Sequence, residues 1–303
     1  MTGSINELLN TGDKANIELA IMLIESQRLD FNDYPLLAGA RSLAAQIGGD
    51  WKEYTTSELN LEDKTITGVL DLNAYSSSLR ILNCDVNAIT SLNINKCIAL
   101  EKLYCNYNMI STLDVYNCVL LKELRCVSNN ITTINVLGCN ALEVLDCGEN
   151  EITDLYLQNC MSLKNLDCGY CKITTLDVRG CNSLQTLCCY NNDIATLDLQ
   201  DCISLTELSC GTNELISLDL QYCTKLIRLS CQLNKLEKIN LKGCSELTCL
   251  DCEENNLTKL DTSNCKKLKH VFVAANPYLS EIIASKENIF VHMLPSMTKV
   301  IVK

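Results

Sequence analysis

The 303-residue chain contains two histidines, three prolines, three phenylalanines and a single tryptophan. Each scarcity excludes something. General acid–base and metal chemistry draw first on histidine, and no P-loop, GxSxG, HExxH or dinucleotide fingerprint is present. With so little proline and only 12 glycines, no flexible or polyproline linker separates domains. Aromatic residues make up 5% of the chain against 47% apolar overall, so aliphatic side chains must carry the core. No apolar run reaches the ~18 residues of a membrane span. The short run IELAIMLI contains Glu18 and no cleavage site follows it, so it does not read as a signal peptide and a cytoplasmic location is expected. Basic residues are outnumbered, 25 against 37 acidic, for a net charge of −12. Nucleic-acid binding rests on counterion release by a basic surface, so neither nucleic acid nor an anionic membrane is expected as a partner. A basic protein or peptide fits better.

Cysteine, by contrast, is abundant, at 21 residues. The cysteines are periodic. One series runs from Cys84 through Cys105 and Cys126 to Cys252, a second from Cys97 through Cys118 and Cys139 to Cys265, and every step in both is 21 residues. The unit around them reads LxxLxCxxNxITxLDVxxCxx. Its leucine column starts at Leu79 and its asparagine column at Asn87; only Cys171 interrupts the latter, between Asn150 and Asn192. A fixed period of this length marks a stacked repeat architecture.

Between residues 79 and 278 the unit resembles the leucine-rich repeat, and within it the short nested bacterial type called IRREKO, LxxLxCxxNxLxxLDLxxN. Cysteine stands at the second asparagine position of that type in all nine copies here. The resemblance implies a right-handed solenoid of the α/β superhelix class that binds proteins or peptides on its strand-lined face, without enzymatic activity.

The physics of the pattern agrees. Leu82 and Cys84 alternate with Asn83, as a strand with one buried face requires, and Leu92 and Ile94 alternate likewise ten residues later. Two short strands and two turns leave no room for a helix within 21 residues, so strands are expected on both sides of each of about ten to eleven coils. The columns of Leu79, Leu82, Cys84, Asn87, Ile89, Leu92, Ile94 and Cys97 should face inward. The asparagine amide can satisfy backbone groups at the turn, and Cys171 should be a local weak point because a thiol replaces little of that bonding. In-register cysteines ~4.8 Å apart along a ladder point in parallel, which strains a disulfide. The count is also odd. Together with the missing signal segment this predicts reduced, buried thiols in a reducing compartment. The CxxC pairs Cys168/Cys171 and Cys249/Cys252 lie too far apart to share a metal ion, so no metal or other cofactor is expected.

The ends differ from the middle. Residues 1–55 are expected to form a helical N-terminal cap with two helices, one over ANIELAIMLIES and one over YPLLAGARSLAAQIGG, where Pro35 suits a first turn and Gly48 and Gly49 a stop. Residues 56–278 form the solenoid, with a degenerate first coil carried by Leu59, Leu61, Ile66 and Leu70. Residues 279–303 form a C-terminal cap, expected as a hairpin-like closure.

Three surface features invite function. Cys249 and His270 should be neighbours in consecutive turns, the beginnings of an activated thiol; without an oxyanion hole this cysteine-enzyme reading ranks last. The second strand carries a T-x-D array, Thr175 with Asp177 and Thr196 with Asp198 among others. Aspartate spoils it as an ice-binding surface, and it lacks the glycine-rich nonapeptide of calcium solenoids. The outward face of LxxLxC varies from copy to copy on a constant frame, which suits recognition. Tyr104, Tyr107, Tyr170 and Tyr190 fall there, with Arg125, Asp146 and Asp167 as polar partners and Gly148 and Gly169 as shallow depressions between them. These residues are the candidate binding site of a monomeric, bacterial, intracellular interaction module. A secreted or surface-exposed role in contact with a host is the alternative.

Overall fold

A computed structural model describes residues 2–157, 160–285, 291–292 and 299–302. The chain divides into two compact units, residues 1–142 and 143–303.

Unit one opens with a cap of three helices, one more than expected: α1 (Thr2–Asn10), α2 (Lys14–Gln27) and α3 (Pro35–Ile47). The Asp13 carboxylate accepts from the Asn16 N–H and so caps α2, and Arg28 in the left-handed region ends it. Pro35 occupies the first turn of α3 and Gly48, at φ +81°, closes it, as read from the sequence. Ile17, Ile21, Ile24, Leu37, Ala40 and Leu43 are buried between these helices and the first coil. Four parallel strands then line one side of unit one, Glu58–Asn60, Ile81–Asn83, Lys102–Tyr104 and Glu123–Arg125. They pair in register with a repeat offset of 21 from the second strand onward. The other side holds the pairs Thr67–Asp71 with Ala88–Asn93 and Thr112–Asp114 with Thr133–Asn135. Leu59, Leu61, Ile66 and Leu70 are buried, so the degenerate first coil is a true turn of the solenoid.

Unit two repeats the arrangement. Its LxxLxC strands run from Val144–Asp146 to His270–Phe272, each parallel to the next. The two units carry about eleven turns, and the fold is a leucine-rich-repeat solenoid of short parallel strands. Among the described residues of the expected hairpin-like closure the pairings are parallel: Glu281–Ala284 pairs with Lys259–Asp261 and with Lys299–Val302, and Val291–His292 pairs with Val271 and Phe272. Residues 286–290 and 293–298 of the expected C-terminal cap lie outside the described residues. The chain after Asn276 loses the consensus letters while keeping buried aliphatics such as Leu279, Ile282 and Ile283, and these suffice to extend the coil.

What holds each turn is asparagine. Asn192 Nδ2 donates to the carbonyls of Cys168 (3.0 Å), Cys189 (3.1 Å) and Tyr190 (3.3 Å), and its Oδ1 accepts from the Ile173 N–H (2.8 Å). The same four bonds recur at Asn213 and Asn234 in unit two and at Asn108 in unit one. The residue preceding each asparagine adopts left-handed backbone, with φ between +51° and +56° from Val86 and Tyr107 through to Ala275. None of these residues is glycine, and left-handed backbone costs an ordinary residue roughly 1–2 kcal/mol. At Cys171 the ladder thins as anticipated. The thiol is within 3.5 Å of the Cys147 carbonyl and 3.8 Å of the Gly169 carbonyl, with the Ile152 N–H facing the sulfur.

The cysteine columns are buried and their thiols donate to backbone carbonyls. In the first column the bond reaches forward one turn, from Cys84 to Tyr104 O (3.4 Å) and from Cys231 to Asp251 O (3.3 Å). In the second it reaches back, from Cys97 to Leu72 O (3.4 Å) and from Cys244 to Leu220 O (3.5 Å). All 21 are free thiols, and only Cys188 and Cys249 are less than fully buried.

Two predictions follow from the ladders. Cys171→Asn restores the missing amide bonds and should raise stability by about 1–2 kcal/mol in denaturant titration; an unchanged midpoint would show that the gap costs nothing. The second concerns pH. Burial pushes the thiols of Cys97, Cys118, Cys202, Cys244 and Cys265 up to about 12 and those of Cys160, Cys181 and Cys223 up to about 11, against 9.0 for an unburied thiol. An unfolded chain loses these protons near pH 9 while the folded one keeps them. Their contribution is therefore whole below pH 9 and is lost as pH rises toward 11 to 12. At one pH unit above 9, each such thiol favours the unfolded chain by about 1 kcal/mol, and all eight act in the same direction. Far-UV circular dichroism should show unfolding between pH 9 and 10 in the reduced protein, and native spectra at pH 10.5 would refute this account.

Candidate functional site

In unit one the outward positions of Lys102–Tyr104 and Glu123–Arg125 converge on one carboxylate. Glu123 accepts from the Tyr104 hydroxyl (2.9 Å) and from Arg125 Nε (2.8 Å), and Lys102 Nζ lies 3.4 Å away. Burial pushes the Glu123 carboxyl up, but the hydrogen bonds from Arg125 and Tyr104 and the two positive charges outweigh it and hold it below the usual range. Tyr104 is half-buried, its hydroxyl held by Glu123. Tyr107 is more exposed, at 58%, because its left-handed turn directs it outward. Val86 occupies the same position one turn earlier and Met109 follows two residues on, both about half exposed. Beside them burial raises the Asp85 carboxyl above its ordinary value despite hydrogen bonds from the N–H and side-chain amide of Asn106.

In unit two Tyr170 holds the left-handed position and is 58% exposed, while Tyr190 is half-buried. Their rings touch, with centroids 5.5 Å apart and planes at 54°. Tyr190 stands at the register position of Gly148 and Gly169. Those glycines are not depressions open to a ligand: both are buried, and a Cβ on Gly148 would lie 3.1 Å from the Gly169 carbonyl. The Asp167 carboxylate accepts from the Gly169 N–H (2.9 Å) and from the Cys188 thiol, whose pKa is pushed up to about 11 by burial and by that same carboxylate. Asp167 is therefore engaged in its own turn; Asp146, the matching residue one turn earlier, is half-exposed at the end of its strand.

Exposed tyrosines are also more widespread than the sequence suggested. Tyr116, Tyr156, Tyr222 and Tyr278, none of them on the LxxLxC face, are all more than half exposed. The T-x-D array has a structural purpose that sequence reading missed. Asp114 accepts from the Tyr116 N–H (3.0 Å), Asp177 from Arg179, Asp198 from Gln200 and Asp219 from Gln221, each capping the turn two residues on. The recurrence of aspartate at this position in most coils, at the end of the second segment and just before a turn, was the available signal. Cys249 and His270 do pair across adjacent strands. Burial and the Asp251 charge nevertheless raise the Cys249 thiol, against a smaller lowering by Arg228, which is the reverse of activation.

A groove of about 560 Å³ lies in the cap, lined by Ile17, Ile21, Met22, Lys14, Glu25 and Lys52 among others. Nearby the Arg41 guanidinium stacks over Phe31 (4.4 Å) and Trp51 (4.8 Å). Among the described residues no three His, Cys, Asp or Glu side chains converge on a metal position, and no helix is long and apolar enough to cross a membrane.

No protein-family model and no curated protein matches the chain. Solved structures do. The functional domain of InlJ from Listeria monocytogenes, which includes a cysteine ladder, is 26% identical and superposes with a TM-score of 0.59 over 90% of this chain and 69% of its own. The Leptospira interrogans leucine-rich-repeat protein LIC12759 is 19% identical, with a TM-score of 0.58 over 82% and 74%. The plant peptide hormone receptor RGFR1, solved in complex with RGF2, is 20% identical, with a TM-score of 0.59 over 74% and 42%.

The raised Cys249 thiol sets an outcome for alkylation. In native protein at neutral pH, iodoacetamide should label Cys249 and Cys188 alone of the 21 cysteines, each more slowly than glutathione. Mass spectrometry that finds Cys249 labelled faster than glutathione would restore the thiol–imidazole reading.

Proposed function

We propose that this chain is a non-enzymatic binding module for a protein or peptide, contacted through the LxxLxC face and the turn that follows it. The observation that carries the reading is the presentation of Tyr107 and Tyr170. Each sits on a left-handed turn, Tyr107 beside the amide of Asn108 and Tyr170 beside the thiol of Cys171, and each is more than half exposed where the repeat itself demands no aromatic residue. Tyrosine is rigid and amphipathic and is enriched at interface hot spots. In unit one Tyr104 and Arg125 are held ready by Glu123, so little side-chain freedom is lost on binding. In unit two Tyr190 supports Tyr170, with Asp146 and Asp167 at adjoining strand ends. A net charge of −12 favours a basic partner over nucleic acid. The likeness to RGFR1, solved in complex with RGF2, supports a binding role. The bacterial structures among the neighbours make contact with a host the second reading. The 21 free thiols favour a reducing compartment.

The partner is to be found by affinity purification from the native source. Tyr107→Ala or Tyr170→Ala should then weaken its binding by about 1–3 kcal/mol, roughly 5- to 150-fold, while thermal stability barely changes. Substitution of Thr112 or Thr175 on the opposite face should leave binding intact. Full affinity in a variant lacking all four of Tyr104, Tyr107, Tyr170 and Tyr190 would move the site to the second face or to the cap groove.

A further inference from the structure

Each coil has a second turn, where the chain leaves the LDV strand and re-enters LxxLxC. In the last three coils of unit one this edge covers residues 95–99, 116–120 and 137–141. It displays Ile98, Tyr116, Val119, Leu120 and Leu137, all between 43% and 54% exposed. Ile98 and Val119 hold the same position in adjacent coils, as do Tyr116 and Leu137, so the five side chains lie side by side along the edge. Asn117 Nδ2 donates to the Asn95 carbonyl (3.3 Å) and ties neighbouring turns together beneath them. Lys96 is the one charge in these fifteen residues.

The repeat does not require this composition. In unit two the corresponding turns carry Arg179, Asp201, Lys225, Lys242, Glu246 and Lys266, with single apolar residues such as Ile203 among them. Packing does not require it either, because the core positions of the same turns are filled by the buried Ile94, Cys97, Val115 and Cys118. Five half-exposed side chains of this size leave on the order of 400 Å² of apolar surface facing water, within the range that marks the functional patch of a monomer.

We propose that this edge of unit one is a self-complementary contact between two copies of the chain. The local charge permits a second copy. At a net charge of −12 two molecules repel over most of their surface, and this edge, with no acidic residue, is where they can approach. The area also suits a dimer. A standard interface buries about 800 Å² per partner, rather more than half of it apolar, which about 400 Å² largely supplies. A twofold contact needs one patch that matches itself, and paired columns of aliphatic side chains do so by interdigitation. The dimer departs from the monomer expected from sequence, where turn residues read only as solvent-exposed positions. It uses the turn opposite that of Tyr107 and stands independently of the partner-binding reading.

Sedimentation equilibrium of the whole chain, from micromolar to sub-millimolar concentration, tests the proposal. The mass should rise from 33.7 kDa toward twice that value, with association strengthened by added salt as the net charges are screened. A Val119→Asp, Leu120→Asp double variant, checked for native circular dichroism, should weaken dimerisation at least tenfold, and Ile98→Lys should weaken it in the same sense. Tyr107→Ala should leave it unchanged. A mass fixed at 33.7 kDa throughout, or association that survives the edge substitutions, would overturn the proposal.

Discussion

The structure depends on a backbone debt that one side chain settles. A 21-residue coil must reverse direction twice, and at each reversal several N–H and C=O groups lose the ladder partners that strands provide. Buried without partners, each would cost about 1–3 kcal/mol. The asparagine amide meets four of them at once, across two turns of the coil, as at Asn192 and Asn108. This geometry is reached only when the preceding residue is left-handed, an expense smaller than the bonds it makes possible. The turn in turn sets strand register, register stacks the leucines and cysteines into columns, and the columns decide which side chains face water.

That hierarchy explains how much was legible. Inward columns declare themselves because packing admits few residue types: Leu79, Leu82, Cys84, Ile89, Leu92, Ile94 and Cys97 are all buried where the pattern puts them. The gap in the amide ladder at Cys171 was legible for the same reason. The left-handed column was not, since its usual marker is glycine and here Val86, Tyr107, Thr212 and Leu233 occupy it. Helix α1 was missed because TGSINELLN is short and has little apolar content. The parallel strands near Glu281 were missed because sheet pairing responds to shape and burial, not to consensus letters. At the candidate site outward direction and residue type were legible, but exposure depends on neighbours. Glu123 draws Tyr104 and Arg125 down, and Asp167 is spent on its own turn. Aspartates that resembled a ligand array are turn caps, a distinction that only hydrogen-bond geometry makes.

The second cysteine column shows how a thiol serves at the turn that follows the second strand. At the end of the second strand the interior has room for a small, largely apolar group and one additional acceptor nearby. A thiol fills the space and donates weakly, while an amide would bring a surplus of polar atoms into a position without partners for them. The same choice makes the fold sensitive to alkali and oxidation together, because the ionised thiolate and the sulfenic acid are both too polar for a site that burial has tuned to the neutral thiol.

The opposed direction of the two thiol columns bears on how such a chain could lengthen. The first column reaches forward one turn and the second reaches back, so a junction between successive coils receives one donor from each side. A junction built this way is indifferent to its ordinal place. Tandem duplication of any 21-residue segment, from whichever residue it begins, creates only junctions of a kind already present and leaves both termini with the contacts they had. Gene copying in whole multiples of 63 nucleotides is then structurally silent in the interior, whereas an insertion of any other length breaks both columns at once. Chain length becomes a quantity that can drift freely in steps, and the surface columns can diversify afterwards.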